Sequence, residues 1–81
     1  MGMTTDVPEN APERVAKEIA AYLLARPQAI DTARGIRDWW LRHLNPPPDI
    51  STIILALEAL EAAGVVRRIV LDDQSVLWAA A

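Results

Sequence analysis

Apolar residues recur along this chain with two different periods. From Glu13 onward, Val15, Ile19, Tyr22 and Leu23 fall on one stripe at roughly the 3.6-residue helical spacing, and Ala16, Ala20 and Leu24 widen it. Pro12 suits the first turn of such a helix, where its missing N–H breaks no bond. Pro27 disfavours helical geometry at Arg26, so the spacing predicts a helix from Pro12 to about Arg26. A second helix is expected to start at Asp31, whose short acceptor side chain precedes Thr32-Ala33-Arg34. Ala33, Ile36, Trp40 and Leu44 then share a face, with Trp39 beside them. Gly35 inside this helix costs about 1 kcal/mol relative to Ala and permits a close crossing. Pro46-Pro47-Pro48 stops the helix and reads as a stiff, extended spacer.

A third helix follows, capped by Asp49 or Ser51, with Ile53, Ala56, Leu57 and Leu60 at i, i+3, i+4 and i+7. It runs to Ala63, and Gly64 is placed to end it in the left-handed conformation. Then the period changes. Val65 to Leu71 is rich in β-branched residues, Asp72-Asp73-Gln74 is a turn, and Ser75 to Ala79 is a second strand, giving a hairpin. Gln28-Ala29-Ile30 has room for a further short strand. Residues 1–11 are polar and without periodicity, so a disordered tail is expected ahead of one domain over residues 12–81.

The run from Ile50 through Leu55, Leu60, Gly64 and Val65-Val66 to Arg67-Arg68 resembles the stretch from recognition helix to wing in the winged helix-turn-helix superfamily. The resemblance covers roughly residues 13–80. It implies an α+β domain of three helices followed by a β-hairpin wing. Each element would then contribute one apolar face to a shared core: Val15, Ile19, Tyr22, Leu23, Ile36, Trp40, Ile53, Leu57, Leu60, Val65, Ile69 and Trp78. It also implies that the third helix is the one a DNA-reading relative lays in the major groove.

Composition narrows the function classes. The chain has 81 residues, 52% apolar and 23% charged, which is globular and sufficient for one domain. The net charge of −3 argues against a surface that clings everywhere to nucleic acid or acidic lipid. Without cysteine there is no disulfide framework, thiol nucleophile or thiolate metal site. His43 is the sole histidine, expected to complement the dipole at the end of helix two, so neither a His pair for zinc nor a supported Ser-His-Asp set exists. The glycines form no phosphate loop. Asp72-Asp73 read as turn formers, and Glu58 and Glu61 as solvated. A non-enzymatic protein without cofactor, metal or small-molecule ligand is expected. No apolar run approaches the roughly 18–20 residues of a membrane span, and the first residues lack a secretory pattern, so the expected compartment is the cytoplasm.

The third helix then decides between partners. Reading base edges takes Arg, Lys, Asn, Gln, Ser or Thr on the outward side. Residues 49–64 carry three acids and no base, the wrong sign for a phosphate backbone. Ile54 and Leu55 add apolar surface instead, and the adjacent Trp39 and Trp40 are not both expected to be fully buried. The leading expectation is therefore a protein interface, for a homodimer or an accessory subunit, through Ile54, Leu55, Glu58, Ala59 and Trp39. The alternative is a small DNA-binding regulator whose Arg34, Arg37, Arg42, Arg67 and Arg68 hold phosphates. As solvated charges pairing with nearby acids, the same arginines need no nucleic acid, and that reading is preferred.

Overall fold

The computed structural model describes residues 11–81, and the expected tail lies, apart from Ala11, outside the described residues. Helix α1 (Pro12–Ala25) has proline in its first turn and buries Val15, Ile19 and Leu23. It ends where Arg26 N–H donates to the Tyr22 carbonyl at 2.8 Å, one residue before Pro27. Strand β1 (Ile30–Asp31) follows and leads into helix α2 (Ala33–Gly35).

Helix α2 departs from expectation at both ends. Its cap is Thr32, not Asp31: the Thr32 hydroxyl accepts from Gly35 N–H at 3.0 Å. Asp31 lies one residue earlier, its Oδ1 accepting from Thr32 N–H at 2.8 Å. After Gly35 the helix widens into a π-helical stretch (Ile36–Trp40), closed by Leu41 N–H donating to the Ile36 carbonyl at 3.0 Å. The regular helix expected to reach Leu44 thus ends at Gly35, and the π-helical stretch that continues it stops at Trp40. Leu41, Leu44 and Pro48 are nonetheless buried in the irregular connection that contains the cis Asn45–Pro46 bond.

Helix α3 (Ile50–Ala62) buries Ile53, Ala56, Leu57 and Leu60, the expected stripe. Asp49 occupies its N-cap position without a side-chain hydrogen bond. At its C-terminus Gly64 takes φ +78°, Gly64 N–H donates to Glu61 O at 3.0 Å, and Val65 N–H donates to Leu60 O at 2.8 Å. This paired closure satisfies carbonyls the last turn would otherwise leave open.

Strands β2 (Val66–Val70) and β3 (Val76–Ala80) form the hairpin, and β1 pairs on the far side of β3. The result is a three-stranded antiparallel sheet of order β1-β3-β2 in an α+β domain of three helices. Register pairs Ile30 and Arg67 with Ala79, and Asp31 and Arg68 with Trp78. The inner face carries Val66 and Trp78 into the core. That corrects the expected phase: Val66 is buried, whereas Val65 is exposed and Ile69 only half-buried. Val65 bridges helix and sheet, its N–H donating to Leu60 O at 2.8 Å and its carbonyl accepting from Ala81 N–H at 3.0 Å, and strand alternation from there puts Val66 on the core side and Ile69 on the opposite one. Tyr22, also expected inside, is half-buried and stacks on Trp40 with ring centroids 4.6 Å apart.

Candidate interaction surface

The exposed side of α3 is the complement of the stripe that makes the core. With Ile53, Ala56, Leu57 and Leu60 inward, Leu55, Glu58 and Ala59 are left facing solvent, and Leu55 is 55% exposed. Ile54 sits on the flank, where with Glu58 it lines a shallow cleft of about 190 Å³ closed by Ala33, Arg68, Val76 and Trp78. Trp39, on the π-helical stretch, is 63% exposed, with the Arg42 guanidinium 6.0 Å from its ring centroid. Its neighbour Trp40 is buried, so the tryptophan pair divides between solvent and core.

The five arginines divide as well. Arg68 is held by both carboxylate oxygens of Glu61, Nε to Oε2 at 3.1 Å and Nη2 to Oε1 at 3.0 Å. Its guanidinium also lies 4.9 Å from the Trp78 ring centroid. The Glu61 hydrogen bonds push the Arg68 pKa up against the opposing effect of desolvation, with the charges of Glu61 and Glu58 adding to the rise. Glu61 is therefore paired rather than merely solvated. Arg37 donates to Asp38 at 3.0 Å, and Arg37 and Arg42 share the wall of an open depression of about 560 Å³ with Asp38 and Asn45. Arg34 and Arg67 form no ion pair among the described residues. Because adjacent strand residues point to opposite sides, Arg67 and Arg68 cannot contribute to one patch.

The outer face of the sheet contains residues that the helical pattern did not single out. Ile30, Ala79 and Leu77 join Ile69 there, and Leu71 continues the same phase just beyond β2. Alternation counted from Val66, rather than from Val65, identifies them. A separate apolar groove of about 390 Å³ runs between the end of α1 and the sheet, lined by Leu23, Leu24, Pro27 and Val65. Leu24, placed on the expected buried stripe, is 86% exposed at its rim.

His43 corrects another expectation. It does not serve the end of helix two; its Nε2 lies 2.8 Å from Oε1 of Glu18 on α1. The hydrogen bond from His43, joined by its charge and by Arg14, lowers the Glu18 pKa against a smaller effect of burial. At the hairpin tip, Asp73 accepts from Ser75 N–H at 3.0 Å and from the Ser75 hydroxyl, which holds its carboxyl below the ordinary range. Among the described residues no group of three or more His, Asp or Glu side chains could hold a metal ion. No helix there is long and apolar enough to cross a membrane.

No family model, curated protein or solved structure matches this chain.

Proposed function

We propose that this chain is a non-enzymatic winged helix module that binds another polypeptide through the outer side of α3. The element order α1-β1-α2-α3-β2-β3, with β1 on the far edge of the hairpin, is compatible with that family. One observation carries the reading: where a DNA reader needs cationic or amide side chains, α3 presents Leu55 and Ala59 with Glu58. The guanidinium in the adjoining cleft, Arg68, is already consumed by Glu61. Exposed apolar surface at the centre of an acidic helix suits a protein partner, since interface cores are depleted in charge.

Leu55→Glu tests this directly. The side chain is exposed, so circular dichroism and thermal melting should match the wild type, while self-association or partner capture is lost. The reading falls when wild type and variant both sediment as monomers and recover the same partners. A gel-shift series in salt addresses the alternative: DNA binding that weakens steeply as salt rises would support the arginine-based regulator instead.

A further inference from the structure

We infer that the polypeptide received by α3 is a second copy of this chain, docked through the outer face of its sheet. The inference rests on the interface reading above and supplies its occupant. Two surfaces that no other element covers among the described residues are complementary. On the outer positions of the three strands, Arg67 is the only charged residue among Ile30, Ile69, Leu77 and Ala79. On the outer side of α3, Glu58 stands among Leu55, Ala59 and Ile54, and neither Glu58 nor Arg67 forms an ion pair among the described residues. The neighbouring charge on each element is already used, because Arg68 points to the inner face and is locked to Glu61. Among the described residues, one apolar surface therefore carries a cation outside any ion pair, and the other an anion that feels Arg68 only at longer range.

The spacings agree too. Leu55 and Glu58, three apart on a helix, are separated by about 5–6 Å at Cβ. Arg67 and Ile69, two apart on a strand, are separated by roughly 7 Å. Leu55 of one copy can rest on Ile69 and Leu77 of the next while Glu58 meets Arg67. Elsewhere α3 brings the small, exposed Ala59, and the sheet brings Ala79, which is already buried and so adds no bulk against an approaching helix. Since the surfaces differ, the contact is head-to-tail, and each added copy leaves one of each surface unsatisfied until a ring closes.

Sedimentation velocity over a range of protein and salt concentrations tests this, using full-length chain. Wild type should associate, and Glu58→Arg or Arg67→Glu should weaken association by about tenfold or more, because each places like charges together. The double variant E58R/R67E should recover it. Glu58→Gln and Arg67→Gln, which introduce no repulsion within the monomer, provide the milder form of the same loss, and melting curves confirm that each variant is folded. A wild type that stays monomeric, association indifferent to either charge, or a double variant that fails to recover overturns the inference. If wild type is monomeric yet a foreign partner is lost on Leu55→Glu, only the identity of the occupant falls, and the α3 interface stands.

Discussion

Arg68 and Trp78 face each other across the β2–β3 ladder, with the guanidinium 4.9 Å from the indole centroid. The same guanidinium reaches back to both carboxylate oxygens of Glu61 on α3. One side chain thus ties the hairpin to the helix and shields the largest core residue of the sheet.

The first prediction separates those two roles. Arg68→Met keeps much of the alkyl cover over Trp78 but removes the ion pair, whereas Arg68→Ala removes both. The melting temperature should fall further for Arg68→Ala. Acrylamide quenching should increase for Arg68→Ala more than for Arg68→Met; equal quenching in the two variants would contradict the shielding role.

Helix α3 offers an internal contrast. Leu57 is fully buried and Leu55 is 55% exposed, two residues apart on the same element. Leu57→Ala should cost about 2–5 kcal/mol, a large share of the stability of a domain this size. Leu55→Ala should stay within about 0.5 kcal/mol of wild type. Urea denaturation monitored by circular dichroism measures both.

Gly35 carries a conditional prediction. A Cβ at this position would land on the Asp31 carboxylate, which is held in place by Thr32 N–H. Exchange of helical Gly for Ala ordinarily stabilises by about 1 kcal/mol. Here the Asp31 carboxylate must turn aside and give up its Thr32 hydrogen bond, so Gly35→Ala should raise the urea midpoint less than usual, while in an Asp31→Ala background it should recover the ordinary gain. A double-mutant cycle reads the coupling.

Glu18 gives the fold a dependence on acidity. Its folded pKa lies below the ordinary 4.5, chiefly through the His43 hydrogen bond, so its contribution is present above that value and is lost as pH falls through the folded pKa. The stability difference between wild type and Glu18→Gln should therefore shrink as the solution is taken from pH 5 toward the acid side of the Glu18 titration. His43→Ala should raise the Glu18 pKa, measurable by carboxyl-carbon NMR titration.

Much of this architecture could be read from spacing. The α1 and α3 stripes, the glycine closure and the hairpin turn all rest on contacts within a few residues, and local periodicity reports such contacts well. The phase of β2 was hidden because Val65 and Val66 are equally apolar, and only the hydrogen bonds of Val65, to Leu60 on one side and Ala81 on the other, fix which of the two turns inward. The π-helical stretch was hidden as well, since Ile36 and Trp40 are four apart and look ordinary in an α-helical pattern. Long-range pairing leaves no local trace: Glu18 and His43 are 25 residues apart. Of the candidate surface, the α3 residues Leu55, Glu58 and Ala59 were visible as the complement of the core stripe. Ile30 and Leu77 needed the sheet order, and the division of Arg67 from Arg68 needed only strand alternation.

The absence of phenylalanine leaves the three indoles in three distinct settings: Trp40 stacked within the helical half, Trp78 beneath Arg68 in the sheet, and Trp39 in the open. Intrinsic emission from this chain is consequently a composite of three position-resolved probes. Replacing them one at a time by phenylalanine would let a single optical experiment follow helix packing, hairpin docking and surface occupancy as separate events.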